Sequence, residues 1–296
     1  MRVFVTGATG FVGSAVVKEL IGAGHEVLGL ARSAASAEAL MAAGAAVHHG
    51  SLEDLESLRQ GAAASEAVIH TAFIHDFSKY EENCETDRHV IEAIGAVLEG
   101  SRRPFIITSG TAVVSAERAI TEDDLATATA SAIPRVASEE AAAAIAARGV
   151  NASVLRLPPS VHGDGDHGFV PALINIAREK GISAYIGDGN NRWPAVHRLD
   201  AARVYRLIIE KGEGQPVFHA IGDEGVPVKD IATAIGKGLG LPVGSISPAE
   251  AAAHFGWLGI FAGLDLRGSA AKTKTWLGWK PEHVGLIEDL EKGRYF

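Results

Sequence analysis

The most constraining feature of this chain sits at its start. A short β-branched run at 3–5 leads directly into Thr6-Gly7-Ala8-Thr9-Gly10-Phe11-Val12-Gly13, and an alanine-rich helical pattern follows. A strand, a glycine-rich turn and a helix in immediate succession answer to one physical requirement. The first glycine permits a tight turn, the second lets the backbone approach a pyrophosphate, and the third lets the helix pack closely on the strand. The helix start then presents unpaired N–H groups and the positive end of its dipole. The turn therefore predicts a dinucleotide site with contacts from Gly7, Thr9, Gly10, Phe11, Val12 and Gly13.

Downstream, short β-branched runs at 2–6, 26–31, 46–49, 67–71, 105–109 and 152–156 alternate with helical patterns at about 11–23, 34–43, 52–60, 81–100 and 135–148. Such alternation builds βαβ units and a parallel sheet. The runs are almost continuously apolar, as strands covered by helices on both faces must be. The expected fold class is α/β, a doubly wound parallel sheet (Rossmann fold) over residues 1–158, with about 196–222 returning to it. After Arg156 the texture changes. Residues 157–168 and 187–192 read as loops, 169–180 as a helix and 184–186 as a short strand. Further helical patterns fall near 199–211, 228–239, 248–261 and 283–291. Residues 159–195 and 223–296 are expected to form a smaller, C-terminal substrate-binding part.

Composition narrows the partners. The net charge is −9, which disfavours nucleic acid, since such binders present a basic face. Apolar residues make up 47% and charged residues 21%, enough to build a core and to exclude disorder for most of the chain. Cys84 is the sole cysteine, so neither an intramolecular disulfide nor a cysteine-rich zinc site is available. Arg2 precedes glycine-punctuated sequence rather than a signal peptide. The longest apolar stretch, 251–264, is too short for a membrane span and contains His254 and glycines. The expectation is a cytoplasmic protein with a small-molecule substrate and no membrane partner, a homodimer being left open.

The ends of the strands should line the nucleotide site, because ligands in open α/β sheets bind where the strand order reverses. The second strand ends Leu30-Ala31-Arg32-Ser33. A coenzyme without a 2′-phosphate usually meets an acidic residue there, whereas Arg32 and Ser33 suit a phosphate dianion. NADP (NADPH) is expected in preference to NAD. Ser51 and Leu52 should edge the adenine; Thr71, Ala72 and Phe73 should pass beneath the ribose; Thr108, Ser109 and Thr111 should face the nicotinamide. His70, at the end of a buried strand, reads as a structural histidine.

These residues resemble the extended and atypical short-chain dehydrogenase/reductases, the NAD-dependent epimerase/dehydratase-like family. Thr6-Gly7-x-x-Gly10-x-x-Gly13 matches its glycine motif. Val154-Leu155-Arg156-Leu157-Pro158-Pro159-Ser160-Val161-His162-Gly163 looks like its segment closing over the nicotinamide, which brings in Pro158 and His162. Trp193-Pro194-Ala195-Val196-His197-Arg198-Leu199-Asp200-Ala201-Ala202 resembles its late motif, in which a histidine and an aspartate tie the substrate part to the core.

The chain departs from the family at the usual Tyr-x-x-x-Lys, where lysine lowers the tyrosine's pKa and tyrosine exchanges a proton with substrate. Tyr80, Tyr185 and Tyr205 are followed four places on by Cys84, Gly189 and Ile209, and Tyr295 has no such position. The corresponding segment reads Pro134-Arg135-Val136-Ala137-Ser138-Glu139, so Arg135 stands for the tyrosine and Glu139 for the lysine, as in an atypical subgroup without the standard residues. Arg135 and Glu139 can pair across one helical turn; alternatively Arg135 clamps a substrate anion and Glu139 accepts ribose hydroxyls. Guanidinium keeps its proton and cannot act as an acid near neutrality. Ser109 and Thr111 are the candidate oxyanion donors, and His162, His75 or water the proton source. The substrate wall is expected from Phe73, His75, Phe77, His162, His167, Phe169 and Trp193, with Phe255 and Trp257 more at home in a core. No metal is expected at Asp164-Gly165-Asp166-His167, which lacks calcium-loop spacing. The leading reading is an oxidoreductase moving hydride to or from a small carbonyl or activated alkene. A non-catalytic NADP-binding redox sensor or scaffold, and a cofactor-recycling epimerase or dehydratase, are the alternatives.

Overall fold

The apolar runs of the first half form parallel strands because helices cover both of their faces. The structure is a computed structural model that describes residues 1–211, 214–292 and 294–296; the side chain of Phe77 lies outside the description. Strands β1 (Arg2–Thr6), β2 (Glu26–Ala31), β3 (Ala46–His49), β4 (Ala67–His70), β5 (Phe105–Gly110), β6 (Ala152–Leu157) and β10 (Val217–His219) form one seven-stranded parallel sheet in the order β10-β6-β5-β4-β1-β2-β3. The order reverses between β1 and β4, where Thr6 lies in register with His70. Helices α1 (Phe11–Gly22), α2 (Ala34–Ala42), α3 (Leu55–Ala63), α4 (Tyr80–Leu98) and α5 (Ala137–Ala147) follow the first five strands. Their apolar sides meet the sheet in two clusters. One joins α1 and α2 to α7 (Arg198–Lys211), and the other joins α3, α4 and α5.

The remaining strands make two small sheets. β7 (Ser160–His162) pairs parallel with β9 (Arg192–His197), and β9 pairs antiparallel with β11 (Asp223–Pro227); β8 (Ser183–Ile186) pairs parallel with β12 (Val243–Ile246). Helices α6 (Phe169–Lys180), α8 (Val228–Leu239), α9 (Ala251–Phe255) and α12 (Leu286–Lys292) pack around a third apolar cluster, together with the four-residue α10 (Gly259–Ala262). α11 (Ala271–Leu277) returns to the first cluster through Leu277.

Several expected boundaries move for identifiable reasons. The loop expected over 157–168 contains β7, and part of the loop over 187–192 opens β9; both strands are short and find their pairing partners far along the chain. α3 starts later than expected because Asp54 caps it, its carboxylate accepting from Ser57 N–H at 3.1 Å. The continuous helix expected over 248–261 is broken at Gly256, whose φ of +57° lies in the left-handed region that a side chain avoids. The helix expected from 135 begins at Ala137, after a 3-10 turn at Pro134–Val136.

At the first turn, the backbone of Gly7 (φ +65°) receives the Gly10 N–H at 2.9 Å, and a β-carbon on Gly13 would overlap the Gly7 carbonyl oxygen. The variant G13A should therefore lose about 1–3 kcal/mol of stability through overpacking. Thermal unfolding checks this; an unchanged melting temperature would show that the turn yields more easily than its geometry implies.

Candidate functional site

The carboxyl ends of β1, β4 and β5 place the residues expected to hold a nucleotide. α1 starts at Phe11 with no side-chain cap and no acidic residue in its first turn, so its N–H groups and dipole are uncompensated there. Thr9 and Gly10 are exposed beside it and Phe11 and Val12 are half-buried. Thr71 and Ala72 close the other side of the turn. Thr71 Oγ1 donates to Thr6 O at 2.7 Å, and a β-carbon on Gly7 would crowd Ala72 N at 2.7 Å. Gly10 is exposed at this uncapped helix start, and a β-carbon there would meet only Gly7 O, at 3.2 Å, so the turn leaves open backbone that fits a pyrophosphate. On the adenosine side, Arg32 is exposed, and Ser33 caps α2, accepting from Ser36 N–H at 3.2 Å while its hydroxyl donates to Ser36 Oγ at 3.0 Å. Ser51 and Leu52 lie half-buried at the end of β3, and Pro158 is buried beyond β6.

At the other end of the cleft a buried network replaces the expected surface pair. Asp87, on the apolar stripe of α4 and 2% exposed, accepts from His70 Nε2 at 2.9 Å, Arg135 Nη1 at 2.8 Å and Ser138 Oγ at 2.5 Å. His70 Nδ1 lies 2.6 Å from Thr6 Oγ1. Arg135 also donates to Ser138 Oγ and, at 2.9 Å, to Thr108 O, and its guanidinium lies over the Phe73 ring, 4.3 Å from the centroid. Burial alone would raise the Asp87 pKa, but Arg135, His70 and Ser138 outweigh it and hold the carboxyl well below its usual range. Thr108 Oγ1 donates to His70 O and meets the Tyr205 hydroxyl, each at 2.7 Å.

The Arg135–Glu139 pair is therefore corrected. Arg135 sits in the 3-10 turn rather than in α5 and points to α4, whereas Glu139 points to β6. Arg156, 0% exposed, donates to Glu139 through Nε at 2.8 Å and Nη2 at 2.7 Å. An exposed pair one turn apart is worth only about 0.3–0.5 kcal/mol, too little to compete with two partners that would otherwise be buried uncompensated. Ser109, 3% exposed, donates its hydroxyl proton to Glu139 at 2.8 Å. As placed it offers an incoming group lone pairs, not the donor expected of it. Thr111 is buried, and its Oγ1 has no partner among the described residues.

His162 is buried with Nδ1 2.8 Å from Asp289 on α12, and its Nε2 has no partner among the described residues. Its ring meets His197 edge-on at 5.4 Å, and His197 stacks on His283 at 4.5 Å. Asp200 holds the C-terminal segment, accepting from the N–H groups of Glu282 and His283 at 2.9 Å each.

The expected substrate wall divides. Phe73 packs edge-on with His75 at 5.2 Å and with Tyr80 at 6.2 Å, beside Arg135. His167 and Arg198 flank the Phe11 ring. Trp193 is withdrawn from the wall. It is fully buried, donates from Nε1 to Phe261 O at 3.2 Å, and joins Phe169 and Phe261 in the third cluster. Phe255 is buried in the same cluster, whereas Trp257 is 48% exposed. The Phe77 side chain lies outside the described residues.

Sequence reasoning missed Asp87 and Arg156 as the buried partners of Arg135 and Glu139. Both carried a signal, a single charge within an otherwise apolar stripe or strand, which demands a buried partner.

Comparison with known proteins fits this geometry. The profile of the NAD dependent epimerase/dehydratase family matches residues 3–221. An uncharacterised protein (C2A9.02) of Schizosaccharomyces pombe is 51% identical over 296 residues, covering 100% of both chains. The sterol-4-alpha-carboxylate 3-dehydrogenase (decarboxylating) of Dictyostelium discoideum is 28% identical, covering 97% of this chain and 93% of its own. Among solved structures, the dTDP-glucose 4,6-dehydratase DesIV of Streptomyces venezuelae, determined with NAD bound, superimposes with a TM-score of 0.77 at 20% identity, covering 99% of this chain and 95% of that one. The chain belongs to the NAD dependent epimerase/dehydratase family, within the extended short-chain dehydrogenase/reductases, and has oxidoreductase-like relatives. Among the described residues no helix is long and apolar enough to cross a membrane.

Two outcomes follow from these networks. Removing one partner of the buried pair, in D87A, should cost about 3–5 kcal/mol by stranding Arg135 and His70. The double variant D87L/R135M should recover at least half of that. Urea unfolding of the pair of variants decides it, and equal losses would mean that the charges are not coupled. The second concerns pH. Burial, then His162 and His283, push His197 down to about 4 from 6.5. Its unfolded form takes up a proton first, so its neutral state favours folding above about pH 6.5, and that advantage is lost as pH falls towards about 4. The melting temperature should fall across this window less steeply in H197Q than in the parent; parallel curves would exclude His197 as the titrating group.

Proposed function

We propose that the chain is an NADP(H)-dependent oxidoreductase acting on a small carbonyl compound or an activated alkene. The observation that carries the coenzyme preference is at the end of β2. The strand stops at Ala31, where an acidic side chain would favour a free ribose. The exposed guanidinium of Arg32 follows with no hydrogen bond or ion pair to any described residue. Ser33 and Ser36 stand beside it at the start of α2. A 2′-phosphate dianion would take that guanidinium in a bidentate pair.

The remaining roles follow from placement. Gly7, Thr9, Gly10, Phe11, Val12 and Gly13 hold the pyrophosphate through backbone N–H groups. Ser51 and Leu52 border the adenine, Thr71, Ala72 and Phe73 the ribose, and Thr108, Glu139 and Pro158 the ring end. The bound nicotinamide supplies or accepts the hydride. Thr111 Oγ1 supplies a hydrogen bond to the substrate oxygen, and His162, oriented by Asp289, holds or releases a proton at Nε2. Arg135 keeps the Asp87 network charged and Phe73 in place and does not act as an acid. This active site is non-standard, since Arg135 and Glu139 occupy the tyrosine and lysine positions. Residues 1–158 with 196–222 form the coenzyme-binding domain, and 159–195 with 223–296 the substrate-binding part. The dehydrogenase relative supports the reaction class.

One observation favours a second reading, a coenzyme-binding sensor or scaffold without turnover. Ser109 is committed to Glu139 and Arg135 to Asp87, and Thr111 and His162 are buried. One measurement tests the coenzyme preference and another separates the two readings. Titration should show NADP+ binding roughly tenfold more tightly than NAD+. R32D should lose roughly tenfold or more in NADP+ affinity, the value of one charge-assisted contact, with little change for NAD+. Equal losses for both would remove the phosphate clamp. NADPH oxidation should be detectable with at least one member of an aldehyde, ketone and enone panel; binding without any turnover would give the second reading precedence.

A further inference from the structure

The turn that opens α1 is covered by a cation that no role described so far absorbs. Arg198, the first residue of α7, lies half-buried with its guanidinium carbon 4.9 Å from the centroid of the Phe11 ring. Among the described residues it has no hydrogen bond and no ion pair. Of the acids nearby, Asp164 is exposed and forms no ion pair with it, and the other two are engaged elsewhere. Asp200 binds the 282–283 backbone and His283, and Asp166 accepts from Gly168 N–H at 2.7 Å and from Tyr295 at 3.3 Å. Its side chain runs beside the glycine-rich 163–165 backbone: a β-carbon on Gly163 would stand 3.4 Å from Arg198 Cγ, and one on Gly165 3.9 Å from its Nη1. On the other side of Phe11, His167 meets the same ring edge-on at 5.6 Å.

This arrangement is electrostatically one-sided. A helix start is equivalent to roughly half a positive charge, and α1 brings neither a cap nor an acid to offset it. Placing a partly desolvated guanidinium beside it adds a like charge, which is unfavourable unless an anion fits between them. A pyrophosphate carries a negative charge on each phosphorus, more than the helix start alone can balance. We infer that Arg198 is a pyrophosphate-binding residue, held over Phe11 so that its free N–H donors close the anion site at the start of α1 from the side of β9. The inference rests on the dinucleotide reading of the glycine turn. It adds a contact from outside the first βαβ unit, and so joins the coenzyme to the segment that carries His197 and Asp200.

The test is calorimetric titration of the full chain and of R198A and R198K with NADP+, NAD+, ADP-ribose and adenosine 2′-monophosphate. R198A should weaken the three pyrophosphate compounds roughly tenfold, the effect of losing one charge-assisted contact. Adenosine 2′-monophosphate, which has no pyrophosphate, should change less than about twofold. R198K should recover part of the loss, since it keeps the charge without the fork. The loss should shrink in high salt, with the melting temperature close to that of the parent because Arg198 has no hydrogen bond or ion pair among the described residues to strand. A change below about twofold for ADP-ribose, or an equal loss for adenosine 2′-monophosphate, would overturn the assignment. Parent protein that binds NAD+ and ADP-ribose but not NADP+ would refute the Arg32 clamp and leave Arg198 supported if R198A still weakens those two. Parent protein that binds none of the four compounds would overturn the dinucleotide reading and this assignment with it.

Discussion

A buried carboxylate organises the region where the end of β4 meets α4 and the start of α5. Asp87 lies where α4 faces the sheet, and a charge there is tolerable only if it is fully partnered. Arg135, His70 and Ser138 do this together, and each belongs to a different element. The result ties the 3-10 turn before α5, the end of β4 and the middle of α4 to one another. Phe73 is then held under the Arg135 guanidinium. Arg135 is thus a structural cation whose counterion is internal.

The second buried pair draws its cation from the sheet instead of a turn. Here the carboxylate, Glu139, comes from the helix and the cation, Arg156, from the strand, and Ser109 is drawn into the pair. The two pairs lie on either side of the α5 start and point away from each other. Between them they consume most of the polar groups that the ends of β5 and β6 present. Thr111 Oγ1 and His162 Nε2 are buried polar atoms that remain without a partner among the described residues.

Local pattern made the parallel sheet legible because strand, turn and helix recur with short connections, and each βαβ unit is nearly self-contained. The same holds for the glycine turn, where residue type and spacing carry the geometry. Of the small strands, β8 is legible in the sequence, whereas others are not. β7, β9 and β11 are held by partners distant in sequence, and a run as short as Ser160–His162 has no periodicity of its own. The pairing of Arg135 was misread for a related reason. Spacing one turn apart suggested Glu139, but spacing says nothing of what lies across the cleft, and the buried partner on α4 prevails. Trp193 was misplaced because an aromatic in a loop-like segment looks available to a ligand until its strand is seen to be covered by α6 and α10. Thr111 could be singled out by position, but its lack of a partner is a property of the assembled neighbourhood alone.

β9 has one further consequence. Its Trp193 and Ala195 are rooted in the third apolar cluster, whereas Val196 belongs to the first, which supports the main sheet. One continuous extended segment is thus embedded in both cores and runs straight into α7. His197 and Arg198 therefore project from a stem anchored in two separate apolar clusters, and their positions depend on the packing of both.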